Sequence, residues 1–290
     1  MNAATLQMTT KKQSDQPGEL DATTACGWYL YGITHGEQVA ELVAAVAQEQ
    51  GEPLQALEQC QLAAIIKPVP LEEFSAEMLR LHAEDLSWLE AMVRGHNRII
   101  EGIHQNRPVL PARFGAVYPS REALQTALAE RHDQLLALLQ QLEGCDEWGV
   151  RLYADHRALQ QLAIEHPSLR SLKSELARAT PGRAYLLKRK LADELVSIIE
   201  QALDDLAQAS YARLKREAVA GQFNVRASVS TESGGEREVF HALLLVRRDH
   251  QATFLEKVQR LAEEHAEMHC EYSGPWPPYS FARIAGEEAP

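Results

Sequence analysis

Two histidines four residues apart, His265 and His269, followed by Cys270, are the best candidates in this chain for metal chemistry. On a helix, positions i and i+4 share a face and can close on one ion. A zinc-protease helix also needs glutamate directly after the first histidine, and Ala266 stands there. No well-placed third ligand is visible and the helix is expected to end near Met268, so capping or surface histidines are the favoured reading. The sequence has no GxGxxG or GxxxxGK phosphate loop and no GxSxG nucleophile elbow. Glu263, Glu264 and Glu267, like Glu200, Asp204 and Asp205, recur at spacings expected of solvated helix faces. With neither nucleophile nor cofactor cradle, the chain is expected to be no enzyme and to carry no metal or cofactor.

Residues suited to binding are easier to find. Arg183, Lys188, Arg189 and Lys190 concentrate positive charge in the first turns of an expected helix. That placement opposes the helix dipole, so helix stability does not explain it. It is expected either to pair with the acidic remainder of the chain or to dock an acidic partner. Arg113 follows Pro111 on an apolar stretch, with Phe114 beside it. An unpaired buried guanidinium is costly, so Arg113 is expected either paired or exposed at a binding edge. The run Gly274-Pro275-Trp276-Pro277-Pro278-Tyr279-Ser280-Phe281 is the most unusual segment. Its prolines lower the cost of ordering it, and its aromatics can pack internally or anchor a partner. Trp276, between prolines, is expected to be mainly structural and Tyr279 the more exposed.

Composition sets the frame around these groups. The 290 residues are 45% apolar and 24% charged, enough for two modest domains with real cores. A net charge of −12 argues against nucleic-acid backbones as the main partner. Four widely spaced cysteines read as free thiols in a reducing cytoplasm. No apolar run approaches the roughly 18 residues of a membrane span, and residues 1–25 read as a polar, mobile tail without a secretory signal.

The elements then follow. Residues 27–34 read as an aromatic-rich strand, 37–49 as a short helix and Leu62–Ile66 as a second strand. A helix is expected from Leu71 to Ile103, with Asp85 and His96 interrupting its apolar seam. Val109–Tyr118 reads as a strand that Pro111 confines to an edge or bulge. Ser120 caps one helix through Leu124, Leu128, Leu135, Leu138 and Leu142, and residues 147–153 form the next strand. The second half predicts a helix from Asp155 to Ala179 broken at Pro167, and one from Pro181 to Val219 ended by Gly221. Strands 223–230 and 239–247 and a helix 250–267 complete it. The expected fold is α+β: a tail to residue 25, a ferredoxin-like domain over 26–154 with helices on one face of its sheet, and a helix-rich domain with a small sheet over 155–290.

Five stretches also resemble, in order, the gas vesicle protein F and L family. They are Trp28-Tyr29-Leu30-Tyr31-Gly32, the block Val109–Gly115, the strand Glu147–Arg151, the element Pro181–Leu187 and the closing run from Gly274 to Phe281. The polar first 25 residues and the Ala-rich stretch 37–50 depart from the family pattern. The resemblance implies two α+β domains, the first ferredoxin-like, and no catalytic residue or cofactor. It implies an accessory or minor structural protein of gas vesicles that contacts the hydrophobic shell subunit and other accessory proteins. A subunit that builds a gas-facing wall would aggregate if free in water, and an acidic partner covering it would delay that. The alternative reading is a ligand-binding regulatory module built on a ferredoxin-like domain.

Overall fold

The computed structural model describes residues 26–74, 78, 85–155, 163, 165–224, 236–264 and 268–282. The expected N-terminal tail therefore lies outside the described residues.

The first half runs β1 (Cys26–His35), α1 (Val39–Gln50), β2 (Gln55–Gln59), β3 (Leu62–Pro70), α2 (Leu86–His104), β4 (Val109–Pro111) and β5 (Val117–Tyr118). Its sheet is antiparallel in the order β2-β3-β1-β4, with β5 also paired to β1. β1 and β3 are apolar on both faces, and both faces are covered. Tyr29, Tyr31, Ala63 and Ile65 pack under α1 and α2 through Val39, Val43, Val46, Ile99 and Ile103. Leu30, Leu62, Ala64 and Ile66 face the other way, onto α3 (Arg121–Glu130) and α4 (His132–Leu142) through Leu124, Leu128, Leu135, Leu139 and Leu142. The expectation of helices on one face is thus corrected. A continuous apolar run such as Leu62–Ile66 needs cover on both sides.

Three local differences have physical causes. Asp85 is not a core residue of a longer helix but the N-cap of α2, accepting from the backbone N–H of Ser87 at 3.0 Å and of Trp88 at 3.1 Å. Leu71 and Phe74 lie in a turn before it. The single helix expected after Ser120 is two, broken at Arg131, whose φ of −114° is non-helical. Residues 109–118 are two short strands around a loop, with Pro111 on the edge strand β4.

The second sheet comprises β6 (Cys145–Asp155), β7 (Ala220–Asn224), β8 (Glu236–Arg247) and β9 (Met268–Trp276), antiparallel in the order β7-β8-β6-β9. The strand 147–153, which the sequence groups with the first half, is therefore central to the second sheet. Its helices are α5 (Pro167–Ala177), α6 (Pro181–Lys215) and α7 (Gln251–Glu264). Trp148, Val150, Leu152, Phe240, Ala242 and Leu244 form a core with α6 and α7. Gly221 lies within β7 instead of ending α6. A Cβ there would sit 2.8 Å from the Tyr211 hydroxyl and 2.9 Å from Lys215 Cδ, so glycine permits the close approach of α6 to this strand. Cys145 and Leu245 join the Leu30–Leu139 core, so the two sheets share apolar packing.

Candidate functional site

Arg113 and Phe114 lie on the loop between β4 and β5, and Tyr29 and His96 hold that loop from beneath. The Ala112 carbonyl can only accept, so the 3.2 Å contact puts the His96 proton on Nε2. Nδ1 then accepts from the Tyr29 hydroxyl at 2.9 Å, and the same hydroxyl oxygen accepts the Gly115 N–H at 3.2 Å. Gly115, at φ 81°, supplies the backbone turn that aims this N–H inward. Burial pushes His96 down to about 4, against the opposing hydrogen bond with Ala112, so the ring is neutral. Burial likewise pushes Tyr29 up to about 12, against the Gly115 N–H. Phe114 packs edge-on against His96, ring centres 5.8 Å apart. Arg113 is exposed and makes no ion pair among the described residues, so its guanidinium is not buried in the fold.

The closing segment starts on β9 and crosses to the first half. Tyr279 packs into the core under α1 and α2 and donates its hydroxyl to Asn97 Oδ1 at 2.8 Å. Burial, then Glu101, Tyr29 and Glu147, raise its pKa above the ordinary phenol value. The Ser280 N–H and hydroxyl each donate at 2.7 Å to the buried carboxylate of Glu147 on β6. Gln222 on β7 donates to the Ser280 carbonyl at 2.7 Å, and Phe281 reaches the core on the far side of the first sheet. Pro277 and Pro278 are buried, whereas Trp276 is 47% exposed. The expected roles of the two aromatics are therefore reversed: the anchor lies after Trp276, not around it. Tyr272, four residues earlier on β9, is 48% exposed.

A second junction went unseen in the sequence. Asp146 on β6 takes hydrogen bonds from His104 Nε2 at 2.7 Å, Arg248 Nε at 3.0 Å and the Gln251 amide. Arg248 also donates to the His104 carbonyl at 2.7 Å. Burial pushes the Asp146 carboxyl up, but its His104 and Arg248 hydrogen bonds outweigh burial and leave it below the ordinary value. An acidic pair, Asp146-Glu147, opening an apolar strand was the available signal: Asp146 cross-links the halves through His104, and Glu147 holds the closing segment through Ser280.

The remaining candidates stand elsewhere. Arg183, Lys188 and Arg189 are exposed on α6, which packs on β7, β8, α5 and α7. Arg183 approaches Glu175 at 3.8 Å, while Lys188, Arg189 and Lys190 make no ion pair among the described residues. His265 lies outside the described residues. α7 ends at Glu264, so His269 and Cys270 are neighbours on β9, not helix partners. The alternation of a strand sends them to opposite faces. Burial, then Glu271, push the Cys270 thiol up to about 11. Among the described residues, no three His, Cys, Asp or Glu side chains are placed to hold a metal, and no helix is long and apolar enough to cross a membrane.

The model of the gas vesicle synthesis protein GvpL/GvpF family matches residues 27–283, which include all five motif stretches. The chain belongs to this family. It is 32% identical to gas vesicle protein L of Streptomyces sp. strain CB03234 over 238 residues, 82% of this chain and 86% of the relative. It is 28% identical to gas vesicle protein F of the same strain over 258 residues, 87% of this chain and 98% of the relative. The fold matches the crystal structure of gas vesicle protein GvpF from Anabaena sp. PCC7120, with a TM-score of 0.64 at 19% identity, covering 89% of this chain and 99% of that one. GvpF from Microcystis aeruginosa matches with a TM-score of 0.57 at 16% identity and the same coverage. Membership ties the chain to gas vesicles, and the mixed two-sheet architecture is the one these solved structures share.

Proposed function

We propose that the chain acts in gas vesicle formation, as an assembly factor or minor structural component, by binding the hydrophobic shell subunit and other accessory proteins. It acts by binding and not by catalysis, in the cytoplasm and in association with gas vesicles. The observation that carries this reading is the outer strand β9, which among the described residues pairs with β6 alone and exposes Tyr272 and Trp276. Large aromatics held on a rigid backbone offer apolar area at little entropic cost, the chemistry expected of an anchor for a hydrophobic partner. The exposed Arg113, beside the packed Phe114, adds a cationic contact on the first half. The first half is further proposed to be a ferredoxin-like domain, supported by its β-α-β-β-α-β order and antiparallel sheet.

Co-expression with the shell subunit tests the reading. The parent chain should co-purify with the subunit, and the Tyr272→Ala, Trp276→Ala pair should lose it while melting like the parent. A parent chain that fails to hold the subunit would remove the function. A folded double variant that still holds it would remove this strand as the site.

A further inference from the structure

One face of α6 has a partner along only part of its length. Ile199, Leu203, Ala207 and Leu214 are buried against the second sheet, with Ser210 also buried among them. Their spacing of threes and fours continues toward the N-terminus without a break, as Val196, Ala192, Arg189 and Tyr185. These four share the buried residues' side of the helix, because a three-four repeat keeps one seam facing one way. Yet Val196 is 58% and Tyr185 71% exposed, and Arg189 and Ala192 are exposed with them. The neighbouring face is already occupied: Leu187, Leu191, Leu195 and Ile198 pack on Leu169, Leu172 and Leu176 of α5, with Leu195 and Ile198 also reaching the second-sheet core. The seam thus runs off the edge of the sheet and leaves about three helical turns of it uncovered by the described residues.

We infer that this uncovered seam, Tyr185-Arg189-Ala192-Val196, docks an acidic amphipathic helix of another protein. The three-four repeat fits a helix lying along it, as it does in coiled coils. The charge is set by Arg189 within the seam and Lys188 beside it, neither ion-paired among the described residues. Asp193 flanks the seam's other side, and Glu194 lies on the α5 side, so the cations dominate its N-terminal turn. Carboxylates on the incoming helix would complete the pairs this acidic chain leaves open. The chain's own terminal segments do not suit the site. The one three-four apolar run in residues 1–25, Met1, Ala4 and Met8, stops at Lys11 and has no acidic residue beside it, and Gly286 breaks the short acidic end. This inference is independent of shell-subunit binding through β9.

The test titrates the full chain with a labelled synthetic helical peptide that has leucine at seam positions and glutamate at flanking positions. Saturable binding that weakens with salt is expected. Lys188→Glu with Arg189→Glu should weaken it about tenfold or more, a loss of about 1.4 kcal/mol. Val196→Asp should weaken it similarly, and every variant should melt like the parent because the residues are exposed. No saturable binding, equal binding by the variants, or equal binding of a lysine-flanked peptide would overturn the inference. So would light scattering that shows a dimer of this chain lost on Val196→Asp, which assigns the seam to a second copy. Uptake by vesicles of anionic phospholipid that depends on the same residues would assign it to a membrane surface instead.

Discussion

The hydroxyl of Tyr279 meets the side chain of Asn97 at 2.8 Å, tying the end of the chain to the middle of α2. The preceding residue, His96, holds the Arg113 loop through the Ala112 carbonyl. Adjacent positions on one helix therefore fasten two segments far apart in sequence. Tyr279→Phe removes only the hydroxyl and leaves Asn97 without this donor, so it should cost about 1 kcal/mol in urea unfolding. Tyr279→Ala should cost about 3 kcal/mol, because it also vacates core volume under α1 and α2. Trp276→Ala should leave the urea midpoint unchanged. If the tryptophan variant were the more destabilised of the two alanine variants, the closing segment would not be anchored as described.

His96 makes stability depend on pH. Its folded pKa, lowered to about 4, lies below the ordinary unfolded value near 6.5. Between those values the unfolded chain binds the extra proton, so stability is fully present above about 6.5 and falls as pH drops toward 4. The difference of about 2.5 units sets an upper scale of roughly 3 kcal/mol. His96→Gln should be less stable at neutral pH and should flatten this part of the profile. Urea unfolding from pH 7.5 down to about 4.5 measures both. A parent profile as flat as the variant's would show that His96 is not held neutral.

Long elements with strong periodicity were legible in the sequence: β1, β3, α6 and α7 lie close to their expected places because their apolar residues repeat over many turns or pleats. β2 was missed because Leu57 alone among its five residues is buried, too little for a pattern. The double cover of the first sheet was written in Leu62–Ile66 but needs α3 and α4, whose partner strands cannot be read from their own sequence. The site was half legible. Motif residues Arg113 and Trp276 were identifiable, yet whether each faces inward depends on contacts such as Tyr29 with Gly115 or Ser280 with Glu147, made across 86 and 133 residues. No local pattern encodes such partners.

Arg113 and Phe114 should separate in experiment. Phe114→Ala strips a ring from His96 and Tyr29 and should destabilise by about 1–2 kcal/mol, partly by wetting the hydrogen-bonded histidine. Arg113→Ala should leave the melting temperature unchanged, since its guanidinium is exposed. If Arg113 contributes to partner binding, shell-subunit co-purification should fall for Arg113→Ala at unchanged stability. A large drop in melting temperature for Arg113→Ala would show an internal role that the exposed guanidinium does not suggest.

Asp146 offers the sharpest test of how the halves are joined. Its carboxylate is buried and meets His104 from α2, Arg248 from the 3-10 turn Arg248–His250 and Gln251 at the start of α7. Removing one member of such a group leaves the others desolvated, so Asp146→Ala should cost about 3 kcal/mol or more. Asp146→Asn keeps the shape and one acceptor oxygen but loses the charge, and should cost less. Arg248→Ala alone should cost less than Asp146→Ala, because the Arg248 side chain is 41% exposed and water can take its place. The two alanine substitutions should be less than additive when combined, since each removes the same contact. Urea unfolding of the two single variants and the double variant gives the coupling directly. Strict additivity would mean that Arg248 and Asp146 stabilise the protein independently, and that the junction is held by His104 and apolar packing instead.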